Sequence, residues 1–177
     1  MINNEGDLSN SISYASGKLE VQKSLSHTTN NRKAIRLALG EVLLETPLLS
    51  NQSSSESYQL EVNVSEELIK ITGTGNAGVF NGIQTLLALM DGQGLVPQVS
   101  IKDSPRFSYR GLMLDVVRNF QPKDEVMKLL DVMAMYKMNK FHFHLSDNEG
   151  WRLEIPGLEE LTSVSKEILS YFNPVQK

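Results

Sequence analysis

The chain has 177 residues, room for one to one and a half domains at roughly 100–200 residues each. Hydrophobic residues at 40% and charged residues at 21% exclude wholesale disorder and a membrane-embedded chain. Seventeen basic against twenty-one acidic residues leave a formal charge of −4, with no general pull towards nucleic acid or anionic lipid, and the lack of cysteine excludes disulfides, thiolate nucleophiles and cysteine-ligated metals.

Residues 1–16 (MINNEGDLSNSISYAS) are polar, with neither a basic start nor an apolar core, and are predicted to be a flexible terminus without a secretory signal. No later stretch approaches the ~18 consecutive apolar residues of a membrane span. As written, that leaves the chain cytoplasmic. Residues 17–27 alternate at Leu19, Val21 and Leu25, which predicts a half-buried strand. Ala34, Ile35, Ala38, Leu39 and Val42 fall at spacings of three and four, which predicts a helix over 31–44, closed off by Pro47. Tyr58, Leu60, Val62 and Val64 then alternate strictly, and Leu68, Ile69 and Ile71 follow a short acidic turn, so this pair predicts a β-hairpin. Gly73 to Gly78 breaks the second strand. Phe80, Ile83, Leu86, Leu87 and Met90 share one face of a helix over 78–90 that Gly92 and Gly94 end, and Val99 and Ile101 form a last strand. The sequons Asn51-Gln-Ser53 and Asn63-Val-Ser65 carry little weight in a chain this rich in Ser and Asn.

After Arg106 the pattern changes to strand, helix, strand. Gly111 to Val117 is an apolar run of the kind found in buried parallel strands. Pro122, Asp124 and Glu125 mark a helix start, and Val126, Leu129, Leu130 and Met133 give its stripe, with Met127, Met135 and Met138 assigned to the same core and its connection. Phe141 to Leu145 is the second strand, and such a unit crosses over right-handed. The predicted fold is therefore an α+β N-terminal domain, an antiparallel sheet with two helices, over 17–104. It is followed over 105–164 by the first β-α-β unit of an incomplete (β/α)8 barrel, with a divergent tail over 165–177.

Polar residues gather at the C-terminal ends of the two parallel strands, where such sheets face their substrates. Asp115 and Arg118 end the first; His144, Asp147, Asn148 and Glu149 end the second, with Trp151 close by. A guanidinium offers a planar fork of donors for neighbouring sugar hydroxyls or a carboxylate. A nearby aspartate can accept from a hydroxyl or tune another acid. Trp151 can offer an apolar face to a sugar ring. Each residue also has a plainer reading: Arg118 pairing with Asp115, Asp147 to Gly150 as a simple turn, Trp151 as packing. His142 and His144 share a strand face, but a third zinc ligand is missing from this part of the chain, since His27 lies in the other domain, and a hydrogen-bonded core pair is the better reading. Gly73-x-Gly75-x-x-Gly78 follows a hairpin strand without a β-α-β unit, so it is no dinucleotide site. No Gly-x-Ser-x-Gly elbow is present.

The string PRFSYRGLMLDVVRNFQPKDEVMKLLDVMAMYKMNKFHFHLSDNEGWRLEIPGLEELT resembles the opening of the catalytic barrel of family 20 glycoside hydrolases, the β-N-acetylhexosaminidases, nearest the chitobiase-like members at HLSDNEGWRLEIPGL. GVFNGIQTLLALM and VPQVSIKDSPRF resemble the final helix and exit of that family's non-catalytic α+β domain. The likeness runs from about 57 to 164, and the first fifty residues share only the pattern. The resemblance implies cleavage of terminal N-acetylglucosamine or N-acetylgalactosamine, as in chitin oligosaccharides and glycoconjugates, with retention. In that reaction the 2-acetamido oxygen attacks C1, one acid protonates the leaving oxygen and an adjacent aspartate orients the acetamido group. By position, Arg118 resembles the arginine that holds the 3- and 4-hydroxyls, and Asp147 the aspartate that tunes the general acid through a more distant histidine.

The family's Asp-Glu pair in its His-x-Gly-Gly-Asp-Glu context does not occur in this sequence. Asp124-Glu125, Glu66-Glu67 and Glu159-Glu160 are adjacent acids without that context. The 71 residues after Arg106 are also too few for an eight-stranded barrel of about 250. The expectation is a fragment that hydrolyses nothing alone, needs no cofactor or metal, and has open strand edges and apolar faces. The alternative is a non-catalytic carbohydrate-binding or subunit-interaction module, whose partners are N-acetylhexosaminide glycans or a full-length hexosaminidase subunit, with no nucleic acid and no membrane. Family members are typically secreted, periplasmic or lysosomal.

Overall fold

Strict alternation builds the centre of the first unit. In a computed structural model, which describes residues 8–19, 34–44, 54–148 and 150–163, strand β2 (Tyr58–Asn63) buries Tyr58, Leu60 and Val62 and turns Gln59, Glu61 and Asn63 outward. It pairs antiparallel with β3 (Leu68–Gly73), which is the predicted hairpin, and on its other edge with β4 (Val99–Asp103), the predicted last strand. The expectations for residues 20–27, Asn51, Glu149 and the 165–177 tail lie outside the described residues. The Asn63 side chain accepts hydrogen bonds from the Ser65 hydroxyl at 2.8 Å and the Glu66 N–H at 3.2 Å, and so closes the hairpin turn.

Two elements differ from expectation. Ala34–Leu39 is strand β1, not a helix, and it runs parallel to β3 in register Ala34↔Leu68 to Leu39↔Gly73. The sheet, of order β1-β3-β2-β4, is therefore mixed rather than antiparallel. The spacings of three and four fitted a helix, but Ile35, Leu37 and Leu39 also alternate, and they reach the same core as strand residues. Ser9–Leu19 is helix α1, where a flexible end and the start of a strand were expected. Leu8, Ile12, Ala15 and Leu19 lie four, three and four apart, and that narrow stripe packs into the core while the polar residues stay outside.

Helix α2 (Asn76–Leu89) lies on β3, β2 and β1, with α1 beside it. Val79, Ile83 and Leu86 are its buried face, and Phe80 sits at the margin against Tyr14, ring centroids 5.1 Å apart. Gly78 and Gly82 permit the close approach: a Cβ on Gly78 would overlap the Ser57 carbonyl, and one on Gly82 would overlap the Ile71 methyl. Among the described residues no buried side-chain polar atom lacks a partner. The Tyr58 hydroxyl donates to Asp103 at 2.9 Å and lies 2.6 Å from the Thr85 hydroxyl, while Gln84 Nε2 donates to the Tyr14 hydroxyl at 3.0 Å.

The chain divides into two compact units after Ser108. In the second, β5 (Gly111–Asp115) and β6 (Lys140–His144) pair in parallel, with α3 (Lys123–Met135) between them in the chain. The register Gly111↔Lys140 to Asp115↔His144 puts Met113, Asp115, His142 and His144 on one face, and Leu112, Leu114, Phe141 and Phe143 on the other. Pro122 caps α3, and Asp124 and Glu125 occupy its first turn, as predicted. Only Val126 and Met133 of its stripe are fully buried; Met127 and Met135, assigned to the core from sequence, are 53% and 65% exposed. Among the described residues no closed barrel forms, and no helix is long and apolar enough to cross a membrane.

Candidate functional site

A parallel ladder delivers its last residues side by side. Asp115 and Arg118 leave β5, His144 ends β6, and Asp147 follows in β7 (Ser146–Asp147), which pairs antiparallel with β8 (Gly150–Trp151). The register partners Asp115 and His144 therefore face the same side, and the turns after them converge.

Asp115 organises the first turn. Its Oδ1 accepts the N–H groups of Val117 at 2.9 Å and Arg118 at 3.1 Å, while Oδ2 accepts the Arg118 Nε–H. That is an Asx-type turn with its own arginine folded back onto the carboxylate. Asp147 organises the second: Oδ1 accepts the Asn148 N–H at 2.7 Å, and Oδ2 lies 3.1 Å from His144 Nε2 and 3.8 Å from Arg118 Nε. Arg118 thus sits between two carboxylates, with its side chain 56% exposed to solvent.

Partial desolvation pushes the Asp115 carboxyl up, but the Arg118 N–H, the Arg118 guanidinium and the Val117 N–H together hold it below the ordinary aspartate value. The hydrogen bond from His144, then the Asn148 N–H and the Arg118 charge, do the same for Asp147. An ionised Asp147 has only acceptor sites, so His144 Nε2 carries the proton in their hydrogen bond. The cluster offers a planar cationic donor beside two fixed anionic acceptors. That is the equipment for binding adjacent hydroxyls of a neutral polyol.

Arg118, Asp115, His144 and Asp147 come together as one cluster. The Trp151 indole N–H donates to the Leu153 carbonyl at 2.6 Å. His142 and His144 lie with ring centroids 6.3 Å apart, and among the described residues no three His, Asp or Glu side chains are grouped to hold a metal.

Sequence reasoning missed Arg152. Its Nε donates to the Val116 carbonyl at 3.1 Å and its Nη2 to the Val117 carbonyl at 3.0 Å, and its backbone N–H donates to the Leu145 carbonyl at 2.8 Å. Burial lowers its pKa from the ordinary arginine range. A lone arginine between Trp151 and Leu153 was the available signal, since a cation flanked by large apolar residues is often half-buried with its head on backbone carbonyls.

Comparison with known proteins matches residues 107–171 to "Glycosyl hydrolase family 20, catalytic domain" and residues 4–104 to "Glycosyl hydrolase family 20, domain 2". The N,N'-diacetylchitobiase of Vibrio harveyi is 52% identical over 112 residues, which cover 62% of this chain and 13% of that protein. An exo β-N-acetylglucosaminidase from Vibrio harveyi, solved in complex with N-acetylglucosamine, is 35% identical with a TM-score of 0.67, over 93% of this chain and 24% of that one. A β-N-acetylhexosaminidase from Bacteroides fragilis is 29% identical with a TM-score of 0.74, over 91% of this chain and 32% of that one. The chain spans well under half the length of the relatives it matches.

Proposed function

The chain belongs to glycosyl hydrolase family 20, and from that premise we propose that it carries the sugar-recognising start of a β-N-acetylhexosaminidase site and performs no hydrolysis alone. The substrate class is a terminal non-reducing N-acetyl-D-hexosamine, as in chitin oligosaccharides and glycoconjugates. One observation carries this reading: Arg118, braced by Asp115 and within 3.8 Å of Asp147, presents a fixed donor edge at the ends of two parallel strands.

In the proposed reaction the acetamido oxygen of the substrate attacks C1 while a carboxylic acid protonates the departing oxygen. Arg118 holds the 3- and 4-hydroxyls. Asp147 Oδ2 lies 3.1 Å from His144 Nε2 and 3.8 Å from Arg118 Nε, so it sets an anionic acceptor beside the arginine at the sugar's edge. No Asp-Glu pair in the His-x-Gly-Gly-Asp-Glu context occurs in the sequence, and neither the acid step nor acetamido orientation is supplied by these residues. The purified 177-residue chain is therefore expected to release no chromophore from a nitrophenyl N-acetylglucosaminide, and measurable turnover would overturn the reading. In the same protein Arg118→Ala should weaken N-acetylglucosamine binding about tenfold or more, as for loss of charge-assisted hydrogen bonds.

A second reading, a non-catalytic carbohydrate-binding or subunit-interaction module, draws on the exposed apolar side chains of the second unit, among them Met113, Phe143 and Tyr136. Co-elution with a full-length hexosaminidase favours the interaction form of it; sugar binding without any such pairing favours the binding form.

A further inference from the structure

The turn that carries Arg118 is Asp115-Val116-Val117-Arg118, and the N–H groups of residues 116–118 and the carbonyls of Val116 and Val117 all have partners. Val116 N–H donates to the His144 carbonyl at 3.3 Å, while the Val117 and Arg118 N–H groups donate to Asp115 Oδ1. The two carbonyls between them belong to residues 3% and 1% exposed, so water is a poor substitute partner. Both are taken by one side chain, the Arg152 fork. That fork comes from the far end of the second turn, where the Arg152 backbone is bonded to Leu145, and its guanidinium carbon lies 5.6 Å from the Phe120 ring centroid, within cation–π range. One residue thus ties the Arg118 turn to the Asp147 turn.

We infer that Arg152 is a positioning residue: by bridging the Val116 and Val117 carbonyls to the strand end at Leu145, it fixes where Arg118 stands relative to Asp147. It does not touch the sugar. The inference rests on the amino-sugar reading for its functional consequence, but its structural half stands independently. Removing the fork leaves two carbonyls of buried residues without donors, and the turn shifts to find new ones. A lysine has the charge but not two donors in a planar fork, so it satisfies one carbonyl at a time.

The test uses the full 177-residue chain as wild type, Arg152→Lys and Arg152→Met, followed by amide hydrogen exchange and by N-acetylglucosamine titration. In Arg152→Met the Val117 and Arg118 amides should exchange about tenfold faster or more, while the ladder amides of β5 and β6 stay protected. Affinity for N-acetylglucosamine should fall by a similar factor, about tenfold, and Arg152→Lys should recover part of both effects. Faster exchange at Val117 and Arg118 with no sugar binding even in the wild type supports the positioning role and overturns the amino-sugar reading. Unchanged exchange at those two amides overturns the inference. So does loss of protection throughout β5 and β6, which would make Arg152 a general support of the unit.

Discussion

Two carboxylates flank one guanidinium at the strand ends, and hydrogen bonds from His144 and from backbone N–H groups, with the Arg118 charge beside them, keep both ionised. Asp115 and Asp147 both sit below the ordinary aspartate value, so the unfolded chain binds protons more readily than the folded one. Their stabilising contribution is fully present above about pH 3.9 and is lost as pH falls through their lower folded values. The carboxyl-carbon resonances of both should titrate with midpoints below about 3.9, and a midpoint above it for either would contradict the geometry. Sugar affinity should fall over the same acidic window and stay level from there to neutral pH. At this scale the sequence was informative where chemistry follows an apolar strand. Asp115 and Arg118, three apart after Leu112 to Leu114, and His144 and Asp147 after Phe143, were legible as strand-end groups. Arg152 was legible only as a cation flanked by Trp151 and Leu153; its partners, the Val116 and Val117 carbonyls, are main-chain groups that the side-chain pattern does not identify.

The elements differ in how much their own residues decide. Strand β2 alternates strictly, so period and burial agree, and it was read correctly. Strand β1 carries Ala34, Ile35, Ala38 and Leu39 at helical spacing, and only pairing with β3 makes it a strand; tertiary context outweighed local preference. Helix α1 was missed for the opposite reason. A single stripe of Leu8, Ile12, Ala15 and Leu19 among serines is too thin to stand out, yet it is buried because α2 offers a surface for it. Energetically the centre of the sheet dominates. Leu60 is 0% exposed, so Leu60→Ala should cost about 2–5 kcal/mol in urea unfolding of the first unit. Val64 in the hairpin turn is 58% exposed, and Val64→Ala should stay within about 0.5 kcal/mol. Equal effects of the two substitutions would show that burial in this sheet is not what stabilises it.

At the scale of the whole molecule there are two compact units, divided after Ser108. The first closes its core with two helices over a four-stranded sheet. Among its described residues the second offers the parallel pair β5–β6, the short pair β7–β8 and helix α3, and leaves Met113, Met127, Val132, Met135, Tyr136 and Phe143 exposed. Open apolar faces were expected from a two-stranded start of an eight-stranded barrel, since a parallel sheet needs cover on both sides. Under the proposed reading the strand-end cluster recognises an amino sugar, and binding at the cluster itself is what tests it. The most direct measurement is a titration of the isotope-labelled 177-residue chain with N-acetylglucosamine and, separately, with glucose, followed by amide shifts. The account predicts saturable shifts at residues 115–118 and 144–152 with N-acetylglucosamine, weaker ones at the same positions with glucose, and none in β1 to β4. Absence of saturable shifts at those turns, or shifts confined to the first unit, would contradict it.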